Sequence, residues 1–240
     1  HNGDNKALGN SNSRFEPGNG QQAFAFDGYP ELWYEPIESR PFAIDGAKAH
    51  WVTPNALVWL TSSNAAEYRL YTSADAALSN VNTDSLANAS FTPLIMANVD
   101  SAIYAQDPQL TGFSGFTLNL IDAQARQWAK QQLLAVAFDA QGEMIEATRV
   151  QIPRLIDSLY TNGAHDADEA ELGVTYTSST ITAALWAPTA TAINLVVYNS
   201  RKQAIATHAM TFNTQSGVWS YSGARAALDR QFYQYDITVY

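Results

Sequence analysis

Short apolar runs punctuated by Gly, Pro, Asn and Asp repeat along most of this chain, and sustained helical periodicity is rare. Ala49-His50-Trp51-Val52 and Leu57-Val58-Trp59-Leu60 are two such runs, split by the turn signal Thr53-Pro54-Asn55. Tyr68-Arg69-Leu70-Tyr71 alternates, Phe91-Thr92-Pro93-Leu94-Ile95 follows a polar loop, and Gly115-Phe116-Thr117-Leu118-Asn119-Leu120 is a further strand candidate. One helix is predicted, from Asp122 to about Gln131, with Asp122 as N-cap and Ala, Gln, Arg and Lys as helix formers. Leu133 to Phe138 and Ile145 to Ile152 read as a hairpin, its turn Asp139-Ala140-Gln141-Gly142 using the glycine for a positive φ.

Residues 157–171, ending in Asp166-Ala167-Asp168-Glu169-Ala170-Glu171, break the pattern and read as a linker. Strands are then predicted over Val174–Tyr176, Thr180–Ala187, Ile193–Tyr198, Ala204–Met210, Val218–Tyr221 and Phe232–Tyr240. Spacing of roughly 8–12 residues with Gly and Pro between them is the signature of a small β-sandwich. At the other end, residues 1–32 are rich in Asn, Gly and Gln and hold one alternating run, Gln22 to Phe26. Trp33-Tyr34-Glu35-Pro36 leads from there into a connector ending near Pro41.

Composition narrows the function classes. A chain of 240 residues is long enough for one large β domain or two to three small ones. With 46% hydrophobic and 15% charged residues it can build buried cores and is not mainly disordered. A net charge of −10 argues against nucleic acid, which demands clustered Lys and Arg, and suits a neutral partner such as a sugar polymer. Without cysteine there is no disulfide, thiolate nucleophile or Cys-bound metal. No apolar run approaches the roughly 20 residues of a membrane span. The polar opening His1-Asn2-Gly3-Asp4-Asn5-Lys6 shows no signal peptide and reads as the middle of a longer polypeptide.

Candidate chemistry is sparse. His1, His50, His165 and His208 fall on separate segments without metal-ligand spacing. Asp166, Asp168, Glu169 and Glu171 read as a solvated linker, with weak calcium ligation as the alternative, since the EF-hand geometry is missing. No nucleophile elbow, phosphate loop or dinucleotide fingerprint occurs. A glycosidase carboxylate pair is defined in space and has no sequence spacing to find. The six Trp and twelve Tyr are more telling, because sugar rings stack their C–H faces on flat aromatics. Trp51, Trp59, Trp186 and Trp219 sit in strand-like runs and are expected in cores, whereas Trp33 and Tyr34, beside a proline connector, are expected at least partly exposed.

Leu185-Trp186-Ala187-Pro188-Thr189-Ala190 followed by Ile193 to Tyr198, then Gly217-Val218-Trp219-Ser220 and Phe232 to Tyr240, resembles the family 48 carbohydrate-binding module, the isoamylase N-terminal-like domain of pullulanases. Ala47 to Val52, Tyr68 to Tyr71, Gln132-Leu133 through Pro153, and Leu155 to Tyr160 resemble the pullulanase N2 domain. The opening His1 to Lys6 resembles the end of a family 41 glucan-binding module. Lys6 matches that family's sugar-binding lysine, but its later aspartate is absent from Asn10-Ser11-Asn12-Ser13 and its stacking tryptophans would lie upstream.

These resemblances imply an all-β chain of tandem immunoglobulin-like β-sandwich modules with one short helix. They divide it into a family 41-like remnant over 1–36, an N2-like domain over 37–165 and a family 48 module over 166–240. The implied role is non-catalytic: to support the barrel of a pullulanase-type debranching enzyme of glycoside hydrolase family 13, which hydrolyses α-1,6-glucosidic linkages. The implied partners are α-glucan (pullulan, starch, glycogen or maltooligosaccharide) and that barrel. Lys6, Trp33 and Tyr34 are the candidate sugar contacts, no catalytic residue or cofactor is expected apart from the calcium alternative, and the implied location is extracellular or on the bacterial surface. A cell-surface immunoglobulin-like module that binds a protein, and an independent glucan-binding protein, are the competing expectations.

Overall fold

The computed structural model describes residues 24–25, 32–33, 42–61, 64–163 and 166–240. Near the start, β1 (Phe24–Ala25) and β2 (Leu32–Trp33) form an antiparallel pair, with Phe24 opposite Trp33.

Seven strands build the next module: β3 (Ala49–Thr53), β4 (Ala56–Trp59), β5 (Glu67–Ser73), β6 (Phe91–Met96), β7 (Ser114–Thr117), β8 (Gln132–Phe138) and β9 (Met144–Gln151). They close edge to edge in the order β3-β4-β7-β6-β5-β8-β9, and a short parallel pairing of β3 with β9 completes the ring. Closure removes the open sheet edges that would otherwise invite pairing with another chain.

The period-two rule explains why β8 reads as an unbroken apolar run. Leu133, Ala135 and Ala137 face the inner core with Trp51, Leu57, Trp59, Leu70 and Phe116. Leu134, Val136 and Phe138 face the opposite side, where Tyr71, Leu78, Val81 and Leu86 cover them. That outer cover includes α1 (Thr83–Leu86), whose Asn82 side chain caps Ser85 while the Ser85 hydroxyl returns the bond to the Asn82 backbone. A second cover, α2 (Ser101–Gln106) with the 3-10 turn Pro108–Leu110, packs Ile103 and Leu110 on Val52 and Val58.

Helix α3 (Asp122–Trp128) and helix α4 (Pro153–Tyr160) complete the module. Pro153 opens α4 in the first turn, where its missing N–H costs nothing, and Leu155, Ile156, Leu159 and Tyr160 are buried.

The last module is a two-layer sandwich. One sheet runs β10-β11-β15-β14 and the other β13-β12-β16, from β10 (Gly173–Tyr176), β11 (Thr180–Trp186), β12 (Ala192–Tyr198), β13 (Ala204–Ala209), β14 (Thr211–Phe212), β15 (Val218–Ala224) and β16 (Phe232–Thr238). Ala183, Ile193, Leu195, Val197, Met210 and Trp219 are its core. The short helix α5 (Arg225–Leu228) links β15 to β16.

The all-β class holds, and the hairpin falls on β8 and β9 with Gly142 at φ +85°. Among the described residues there are five short helices where one is expected: α1, α2 and α5 span too few residues to show a period, whereas α4 does place Leu155, Ile156, Leu159 and Tyr160 at helical spacing. Helix α3 starts at Asp122 itself, so the cap is Ile121, whose N–H is met by the Gln124 side chain. Residues 157–160 finish α4 instead of opening a linker.

Candidate functional site

Of the three residues singled out as sugar contacts, Lys6 and Tyr34 lie outside the described residues, as do His1 and His165. The backbone of Trp33 belongs to β2 and pairs with Phe24. The tryptophans assigned to cores are where their alternation puts them: Trp51 and Trp59 are 0% exposed and Trp219 is 7% exposed. Their indole faces are therefore closed to a ligand. Trp186 differs, being only partly buried although it packs against the core of the preceding module.

The reason is a joint between the two modules. Trp186 projects from β11 onto the core of the preceding module, and its Nε1–H donates to the Ser216 carbonyl at 3.0 Å. Gly217 follows at φ +71°, and a Cβ there would lie 2.8 Å from Pro188 Cβ and 3.0 Å from Tyr160 Cδ1. Only glycine combines that backbone with so close an approach. Arg126 lays its guanidinium 4.1 Å from the Tyr160 ring centre and donates to the Leu159 and Thr214 carbonyls. Lys130 Nζ stands 3.7 Å from the Phe212 ring centre, and burial lowers its pKa. Sequence reading missed this cluster because Arg126 and Lys130 pass for ordinary helix formers.

On the far side of the last module the sandwich is open. A hollow of about 280 Å³ lies between Val174, Ile181, Leu195, Val197, Leu228 and Phe232. At its border Tyr176, Phe232 and Tyr233 are solvent-exposed, and Ile237, Val239 and Tyr240 are exposed at and beyond the other end of β16. β16 is also an edge strand, bonded only to β12. Exposed apolar side chains along an open edge mark a docking surface.

The first module carries a different feature. A hollow of about 860 Å³ runs between the β3–β4 turn, α2 and α4. Arg154 on its floor is neutralised by Asp107 at 2.8 Å and held by Gln106. The Asp100 carboxylate accepts from Ala102 N–H at 2.9 Å and is committed to capping α2. A second hollow of about 600 Å³, bordered by Met96, Tyr104 and Phe113, shares Asn98 and Val99 with the first. No motif announces this site, since its residues come from four separated segments.

In the acidic run, Asp166 is buried and accepts from Gly163 N–H. A hydrogen bond between Asp166 and Asp168 lowers the pKa of the first and raises that of the second. Among the described residues no group of three or more His, Asp and Glu side chains is placed to hold a metal. His208 stacks on Tyr221 at 4.3 Å, and His50 meets the Phe113 edge at 5.6 Å. Among the described residues no helix is long and apolar enough to cross a membrane.

Two interlocked β modules, one with an apolar flank and the other with an open polar hollow, define an accessory-module region. Residues 46–158 match the pullulanase N2 domain, and residues 171–240 match carbohydrate-binding module 48, the isoamylase N-terminal domain. The chain thus belongs to the N2 and family 48 region of the pullulanase family. It is 30% identical over 199 residues to a pullulanase of Klebsiella pneumoniae, covering 83% of this chain and 18% of that protein. A chloroplastic pullulanase 1 of Arabidopsis thaliana is 26% identical, covering 81% of this chain and 20% of its own length. The maltotriose complex of Klebsiella pneumoniae PulA superposes with a TM-score of 0.73 at 32% identity, over 83% of this chain and 21% of that one. This chain spans about a fifth of the length of these relatives.

Proposed function

We propose that the chain is the accessory region of a pullulanase-type glycoside hydrolase that cuts α-1,6 linkages in pullulan, starch or glycogen. Its two modules form a platform on which the catalytic barrel seats, and the family 48 module makes the contact. The observation that carries this reading is the exposed flank of Phe232, Tyr233, Ile237, Val239 and Tyr240, an apolar surface matched to a partner. The proposed divisions are a glucan-binding remnant over 1–36, an N2 domain over 37–165 and a family 48 module over 166–240. Lys6, Trp33 and Tyr34 are proposed to touch α-glucan, and the parent is proposed to act outside the cell or at its surface, as an export-associated family 41 module implies. A protein-binding surface array has the same flank in its favour, but the matches to pullulanase domains support the platform.

The test compares Phe232→Ser with Tyr233→Ser, in this chain and in its full-length parent. Both side chains are exposed here, so the isolated chain should melt within about 1 °C of wild type, as surface substitutions do. The parent should lose several degrees and release sugar from pullulan more slowly at elevated temperature. An unchanged parent, or reducing-end release from pullulan by this chain alone at an enzyme-like rate, overturns the proposal.

A further inference from the structure

We infer that the paired hollows on the N2 module are a binding site for a neutral oligosaccharide, and specifically for an α-linked glucan segment. The choice of glucan rests on the function proposed above; the neutral, hydroxyl-rich character of the ligand rests on the site itself.

Recognition of such a ligand needs two surfaces, a flat apolar one for the ring faces and hydrogen-bonding groups for the hydroxyls. The smaller hollow supplies the first. The Tyr104 hydroxyl is tied to the Phe113 carbonyl at 3.1 Å, so this residue offers its ring and not its polar tip. Phe113 is itself braced edge-on by His50, and Met96 adds an exposed thioether. The larger hollow supplies the second. Asn98 and Asp157 are exposed, and among the described residues their side chains make no hydrogen bond or ion pair, leaving amide donors, an amide acceptor and carboxylate oxygens for a ligand. Ser158 lines the same wall.

Charge excludes the obvious competitors. The cation in the hollow, Arg154, is already paired with Asp107, while Asp157 adds negative charge. Phosphate or polyanion binding would require the reverse. Size is compatible, since each hollow, about 860 and 600 Å³, is within the range of small-ligand sites and the two adjoin at Asn98 and Val99, as a ligand of consecutive rings requires.

The ridge between the two hollows is a built feature. Ala97 N–H donates to the Gly115 carbonyl at 3.0 Å, and a Cβ at Gly115 would lie 2.5 Å from the Ala97 carbonyl and 3.0 Å from Val99 Cγ1. β7 can approach the 97–99 segment this closely only because residue 115 lacks a side chain. That approach sets Asn98 where both hollows meet.

The experiment is a titration of the intact chain with maltoheptaose, read by calorimetry and by backbone amide shifts, with cellohexaose as the control. Maltoheptaose should shift amides of residues 96–106 and 157–162, and cellohexaose should bind at least about tenfold more weakly. Asn98→Ala with Asp157→Ala should weaken maltoheptaose binding about tenfold or more while leaving the melting temperature unchanged. Trp33→Ala should leave these shifts in place. Absence of shifts at 96–106, indifference to the double variant, or equal affinity for cellohexaose overturns the inference. Those results leave the platform function standing, because that function fails on a different readout, the pullulan assay and the stability of the parent.

Discussion

Gly217→Ala puts a methyl group where two rigid neighbours already stand. The position sits at φ +71°, which costs an alanine about 1 kcal/mol. The new Cβ would also lie 2.8 Å from Pro188 Cβ and 3.0 Å from Tyr160 Cδ1. Neither can yield easily: one belongs to a closed ring and the other to a side chain only 1% exposed. Forcing a methyl into such packing costs about 1–3 kcal/mol, so the full substitution should cost about 3 kcal/mol. Gly142→Ala is the matched control, because φ there is +85° but nothing lies within 4 Å of the new atom. It should cost only about 1 kcal/mol. At roughly 2–4 °C per kcal/mol for a chain of this size, the melting temperature should fall by about 9 °C for Gly217→Ala and about 3 °C for the control. Calorimetric melts of the two variants decide the matter. Equal losses would show that the modules do not press together at Gly217 and would refute the tight joint.

Two further outcomes follow from individual contacts. Trp186→Phe keeps an aromatic ring at the joint but strips the 3.0 Å bond to the Ser216 carbonyl, and Ser216 is buried. Urea unfolding should show a loss of about 2 kcal/mol, and a loss below about 0.5 kcal/mol would mean that water replaces the bond freely. Glu67 has its pKa lowered below 4.5, first by the hydrogen bond from Arg69, whose Nη2 lies 2.6 Å away. Its stabilisation is therefore complete above about pH 4.5 and fades as the pH falls through the lowered value. Since the pair is partly exposed, Glu67→Gln should cost less than about 1 kcal/mol at neutral pH and flatten the acid limb of a stability–pH curve; an unchanged limb would count against the pair.

The strands were legible because their alternation is a property of the chain itself. Trp51, Trp59 and Trp219 fall on inward positions of short apolar runs, and β8 betrays burial on both faces by never alternating. Helices α1 and α2 were not legible, since each is a brief cover held by a capping side chain and one or two buried residues. The packing of Trp186 on the preceding module was hidden too, because that neighbour is brought up only by the fold. The same holds for Lys130 over Phe212, a pairing between residues 82 positions apart in sequence that no local pattern records. Asn98, Tyr104 and Asp157 are unremarkable as letters and become a candidate site only when β7 closes on the 97–99 segment.

The interlock of Trp186 with Tyr160 and Gly217 has a mechanical consequence. The angle between the sandwiches is set by side chains meeting face to face, so the connecting peptide contributes little to it. These contacts oppose bending between the two modules. A load taken up at the outer flank would therefore pass through the joint into the module that carries the hollows.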